Sequence, residues 1–130
     1  MTMEVRYWDS DAFLGWLKEE EDKVEACRAV LEEAEAGRVL LVTSALTLAE
    51  VVKLRRRPPI EKAHAEKIQA FFKRSYISVR NVDRYVAETA RELVWEHGLD
   101  PKDGIHVATA VRFHIARLET FDGDLIRFNG

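Results

Sequence analysis

The run Arg38-Val39-Leu40-Leu41-Val42 is the tightest constraint on the fold. A strand with one wet face alternates apolar and polar residues. A near-continuous apolar run belongs instead to a parallel strand covered on both faces. Parallel neighbours need long crossover connections, usually helical, and the flanking sequence supplies them. Upstream, Lys23 to Ala36 carries Val24, Cys27, Val30, Leu31 and Ala34 at helical spacing and is closed by Gly37. Downstream, Thr43 or Ser44 caps a helix expected to run to about Arg56, where Pro58-Pro59 ends it.

The same alternation extends along the chain. Val5-Arg6-Tyr7-Trp8 reads as a first strand ending at Asp9, followed by a short helix from Asp11 to Leu17. Ile60 to about Arg74 is an amphipathic helix with Ala63, Ile68, Phe71 and Phe72, and Ile77-Ser78-Val79 is a third strand. Asp83 caps a helix bearing Val86, Ala90, Leu93 and Val94, ended by Gly98. Asp100-Pro101 opens the next, with proline in the first turn, where its missing N–H costs nothing, and that helix carries Ile105, Ala108, Val111 and Ile115. Leu118 to Phe121 forms a short fourth strand, with a turn or helix after Asp122. Strands alternating with helices predict an α/β domain with a parallel sheet between helical layers. At 130 residues, the chain is expected to form a single domain, 1–130. Trp8, Trp16 and Trp95 read as core residues rather than base-stacking platforms.

Cys27 is the single cysteine, so it has no internal disulfide partner. With neither a basic-then-apolar leader nor an apolar run of the roughly 20 residues a membrane helix needs, a cytoplasmic protein without a membrane partner is expected. A net charge of -3 argues on average against a polyanionic partner. The charges are segregated, however. Acids crowd Glu19 to Asp22 and Glu32 to Glu35, while Lys53, Arg55, Arg56 and Arg57 form a basic segment that can hold a polyanion or simply complement a helix C-terminus.

In open parallel sheets, ligands bind beyond the carboxyl ends of the strands. Acids fall there: Asp9 and Asp11 after the first strand, Glu50 on the helix after the second, Asp103 in the turn opened by Asp100-Pro101, and Asp122 and Asp124 after the fourth. Each has a plain structural reading. Asp9 can cap the following helix, Glu50 can be a solvated helix residue, Asp103 can answer the helix dipole, and Asp122 can be a turn residue before Gly123. Their coincidence at one sheet edge favours a site for a hard cation, Mg²⁺ or Mn²⁺, which prefers oxygen ligands. No Cys/His cluster suggests zinc. His106 reads as a hydrogen-bonded structural histidine, with substrate orientation the alternative; His114 lies near the same helix.

Four segments, in register over essentially the whole chain, resemble the PIN-domain family, particularly the VapC-like toxin ribonucleases of toxin–antitoxin pairs. They are Tyr7-Trp8-Asp9-Ser10-Asp11-Ala12-Phe13-Leu14, Ser44-Ala45-Leu46-Thr47-Leu48-Ala49-Glu50-Val51, Asp103-Gly104-Ile105-His106-Val107-Ala108-Thr109-Ala110 and Thr120-Phe121-Asp122-Gly123-Asp124-Leu125. The resemblance implies a three-layer α/β/α PIN-like domain with a central, mainly parallel sheet of four or five strands. It implies a metal-binding catalytic set of Asp9, Glu50, Asp103 and Asp122, with Asp124 as a further acid and Thr120, Ser44 and Asp11 in support. Asp11 departs from the family's usual Asn or Ser, leaving open whether it binds metal or caps the helix. The implied reaction is hydrolysis of RNA phosphodiesters, with one or two Mg²⁺ or Mn²⁺ ions activating water and neutralising the leaving oxygen. A small antitoxin and a second copy of the chain are the implied protein partners. Two alternatives stand beside this. Asp9-Ser10-Asp11 also resembles the acid pair of haloacid-dehalogenase-type phosphatases, although Phe13 stands where Thr or Val is usual and no lysine lies between Lys102 and Asp122. The other is a non-catalytic PIN-like RNA- or protein-binding module.

Overall fold

Strand β1 (Glu4–Trp8) pairs in parallel with β2 (Val39–Ser44), Glu4 opposite Val39 and Tyr7 opposite Val42. Strand β3 (Ile77–Arg80) adds to the far side of β2, with Ser44 opposite Arg80, and β4 (Leu118–Glu119) lies beside β1, with Trp8 opposite Glu119. Among the described residues the order is β3-β2-β1-β4, four strands, all parallel, within the expected range. The computed structural model describes residues 3–17, 21, 23–52, 61–115 and 118–119.

The unbroken apolar run of β2 is explained by its two faces. Val39 and Leu41 join Trp8, Phe13, Leu31, Phe72 and Ile77 in one core cluster. Val42 points the other way, into a cluster with Tyr7, Leu99, Val107 and Leu118, with Leu40 packed at its margin. The first core is roofed by α1 (Ser10–Leu17), α2 (Val24–Glu35) and α4 (Ala65–Phe72). Helix α2 buries Cys27, Val30, Leu31 and Ala34, the i, i+3, i+4, i+7 stripe of an amphipathic helix. Its end is closed by Gly37 at φ 82°, whose N–H reaches the Ala34 carbonyl at 3.0 Å. Phe13 packs edge-on against both Phe71 and Phe72.

The second core lies beneath α6 (Pro101–Arg112), itself covered by α5 (Arg84–His97). Asp83 caps α5, accepting from the Val86 N–H at 2.9 Å, and Asp100 caps α6, accepting from Lys102 at 3.0 Å. Gly98, at φ 66°, ends α5. The two helices touch at Gly104, where a Cβ would lie 3.1 Å from the Ala90 carbonyl oxygen. No helix of the described residues is long and apolar enough to cross a membrane.

Several expectations need correction. Helix α3 spans only Ala45–Glu50, with Val51 as its C-cap, rather than running to Arg56. Its C-cap, Val51, is fully buried in the first core, and the β-branched pair Val51-Val52 favours helix weakly. The next helical stretch begins as a 3-10 turn at Lys62–His64 and is α-helical only over Ala65–Phe72. Val111 is exposed, and Ile115 lies beyond the end of α6. There His114, at φ 56°, reverses the chain and the Ile115 N–H bonds the Ala110 carbonyl at 2.8 Å, tucking Ile115 inward and leaving Val111 outside. Trp95 is 70% exposed, with the Arg91 guanidinium 5.4 Å above its ring, so it is a surface residue of α5. Trp8 is core and Trp16 half-buried against the first cluster, as expected.

Two substitutions test this framework by urea denaturation. Gly98→Ala places a Cβ in left-handed backbone and is expected to lower stability by about 1 kcal/mol. Gly104→Val drives a branched side chain against the α5 backbone and is expected to cost about 1–3 kcal/mol. Unchanged midpoints would show that neither position is constrained.

Candidate active site

The carboxyl ends of β1 and β2 are held together by hydroxyl groups. The Thr43 hydroxyl donates to the Trp8 carbonyl at 2.7 Å, and its oxygen lies 2.7 Å from the Thr47 hydroxyl. Since Thr43 has spent its proton on Trp8, Thr47 must be the donor to Thr43. Thr43 and Thr47 are fully buried, so this seam runs through dry interior and fixes the start of α3 against the end of β1. Ser44 caps α3, its oxygen accepting from Leu46 N–H at 3.1 Å.

Asp9 follows the last residue of β1 and is only 2% exposed. Its Oδ1 accepts from the Ala12 N–H at 3.0 Å, so it caps α1. Burying a carboxylate is costly without compensating partners. Asp11 sits half-buried in the first turn of α1.

Glu50, the last residue of α3, accepts at Oε1 from His106 Nε2 at 2.7 Å. The His106 Nδ1 in turn lies 2.7 Å from the Tyr7 hydroxyl. His106 and Tyr7 are both buried, while the Glu50 side chain keeps 18% of its surface exposed. The chain Tyr7–His106–Glu50 thus joins β1, α6 and α3. Burial raises the Tyr7 pKa far above its ordinary range, opposed by the Thr109 hydroxyl and reinforced by the negative charge of Asp9. Tyr7 therefore keeps its proton and serves as a donor, and the Asp9 carboxylate lies within electrostatic reach of it. Asp103 is half-buried in the first turn of α6, one turn before His106 on the same helix.

Asp9 thus stands at the carboxyl edge of a central strand, Glu50 is tied to that strand through His106 and Tyr7, and Asp103 lies a turn from the same histidine. Asp122, Asp124 and Thr120, and the basic residues Lys53, Arg55, Arg56 and Arg57, lie outside the described residues. Among the described residues, no three Asp, Glu, His or Cys side chains form a group able to hold a metal ion by themselves. The chemistry of the donors nonetheless suits a hard cation. Asp9, Glu50 and Asp103 offer only oxygen, both ring nitrogens of His106 are engaged in hydrogen bonds, and Mg²⁺ needs only one or two carboxylates beside its waters. Cys27 is buried under α1, its thiol donating to the Ala12 carbonyl.

Tyr7 and the threonine seam escaped the sequence reading. Tyr7 and Asp9 are two residues apart, the spacing that puts side chains on one face of a strand, and that signal pointed to their proximity. Nothing in the sequence pairs Tyr7 with His106, 99 residues away.

Among curated proteins, none matches the chain in sequence. Of solved structures, a toxin–antitoxin complex from Klebsiella pneumoniae contains a chain of the same fold, with a TM-score of 0.66 and 21% identity over 90% of this chain and 86% of that one. The PIN domain model matches residues 6–130, on the same strands and helices that carry Asp9, Glu50 and Asp103, and the chain belongs to the PIN domain family.

Proposed function

We propose that the protein is a metal-dependent endoribonuclease, the toxin of a toxin–antitoxin pair, acting in the cytoplasm. PIN domains are generally nucleases and typically use divalent metal ions. The observation that carries the reading is the Asp9 carboxylate, almost wholly buried at the carboxyl edge of a central parallel strand, the edge at which open parallel sheets bind their ligands. The family match also stands against the phosphatase reading of Asp9 and Asp11.

In this reading, Asp9, Glu50, Asp103 and Asp122 hold Mg²⁺ or Mn²⁺, with Asp124 as a further acid and Asp11, Ser44 and Thr120 in support. The cation supplies Lewis acidity toward the scissile phosphate and its attacking water. The protein's share is to gather carboxylates whose mutual repulsion the cation relieves, and to fix them on rigid elements. Asp9 is fixed by its bond to the start of α1, Glu50 by His106, and Asp103 by its place in the first turn of α6. Lys53, Arg55, Arg56 and Arg57, following α3 in the chain, are assigned to the RNA backbone. The toxin assignment is supported by the likeness to a chain from a toxin–antitoxin complex. A small antitoxin covering the site and a homodimer complete the proposed assembly.

Cleavage of labelled RNA with and without Mn²⁺ or Mg²⁺ tests the reaction. Asp9→Asn and Asp103→Asn are each expected to reduce metal-dependent cutting about 100-fold or more, the kinetic equivalent of roughly 3 kcal/mol. Cutting that persists in EDTA, or survives both substitutions, would refute the site. Simultaneous replacement of Lys53, Arg55 and Arg56 by alanine is expected to weaken RNA binding and to reduce the slope of log affinity against log salt by about 2, at roughly 0.7 per lost contact to a single strand. An unaltered slope removes those cations from the RNA path.

A further inference from the structure

Glu50 ends a short helix, and a glutamate there would ordinarily sample several rotamers. Here its Oε1 is held by His106 Nε2 at 2.7 Å, and that histidine is held in turn by Tyr7 at 2.7 Å. We propose that Tyr7 and His106 are positioning residues that orient Glu50 for the cation, a role resting on the ribonuclease reading above. A carboxylate can only accept a hydrogen bond, so His106 Nε2 carries the proton in that contact. In the neutral ring Nδ1 is then an acceptor, and the Tyr7 hydroxyl donates to it. Tyr7 thereby reinforces the tautomer that Glu50 requires. Without its O–H, Nδ1 loses its donor and the ring is held by one hydrogen bond instead of two. With Oε1 committed to His106, Oε2 is the oxygen left for a cation or for water bound to it.

The placement of the three groups matches this role. Tyr7 and His106 are buried, Glu50 is partly open, and the bonds therefore run from dry interior toward an accessible carboxylate. Tyr7 makes an edge-to-face contact with the His106 ring, centroids 5.7 Å apart, which also fixes the plane of the imidazole.

Mn²⁺ affinity, measured by titration calorimetry and by the electron paramagnetic resonance of the free ion, tests the positioning role. His106→Ala is expected to weaken Mn²⁺ binding about 10–100-fold, and Tyr7→Phe to fall at the lower end of that range. His106→Gln, whose amide nitrogen can replace Nε2 as donor to Glu50, is expected to recover most of the affinity. In a Glu50→Gln background, His106→Ala is expected to cause no further loss, because the relay acts only through Glu50. If His106→Ala does not fold, Tyr7→Phe and His106→Gln decide the matter. Wild-type Mn²⁺ affinity in folded His106 and Tyr7 variants, with Asp9→Asn and Glu50→Gln impaired, would overturn the relay alone. Wild-type affinity in Asp9→Asn and Glu50→Gln as well would overturn the site and the relay together.

Discussion

The parallel pairing of β1 with β2, buried on both faces, is the constraint from which the rest follows. Glu4 to Tyr7 lie against Val39 to Val42, so the two central strands end at the same edge. Strand alternation then sends Trp8 and Leu41 to one core and Tyr7 and Val42 to the other. The Thr43–Trp8 bond and the Thr43–Thr47 contact lock that edge from within. A one-residue slip would exchange the two cores' side chains and break the hydroxyl seam, so the register has almost no freedom. Asp9, α1 and α3 all begin at this locked edge, and their positions inherit its rigidity.

Much of this architecture was legible because it depends on local signals. The apolar run of β2, the caps Ser44, Asp83 and Asp100, and the stops at Gly37 and Gly98 all sit where the sequence placed them. Illegible features depended on tertiary contacts. Helix α3 ends early at a valine buried in the first core, and the end of α6 turns back through a left-handed histidine rather than a glycine. Trp95 shows the limit of composition: a large apolar ring reads as core, yet an arginine one turn earlier covers it at the surface.

Among the described residues, the acids were legible as types and places along the fold, their partners less so. For Asp9, cap and functional carboxylate stood as competing readings; the structure shows the capping bond and, at the same time, near-complete burial. Glu50 was singled out for its place on the helix after the second strand, but its specific contact proved to be a histidine 56 residues away. His106, read as a structural histidine or as an orienting one, is hydrogen-bonded at both nitrogens, and one of those bonds goes to a candidate site acid. Spacing along a chain reports which residues share a face; it does not report which faces meet.

The contrast between Trp8 and Trp95 has a spectroscopic consequence. Trp8 immediately precedes Asp9, is 1% exposed, and its indole N–H makes no hydrogen bond among the described residues. Trp95 stands in water on the outer helix. Intrinsic fluorescence therefore contains a blue-shifted, acrylamide-shielded emitter beside the acidic edge and a red-shifted, readily quenched one remote in sequence from it. With Trp95 replaced and the half-buried Trp16 as background, the remaining emission becomes an optical gauge of the interior next to Asp9, one that needs neither label nor substrate.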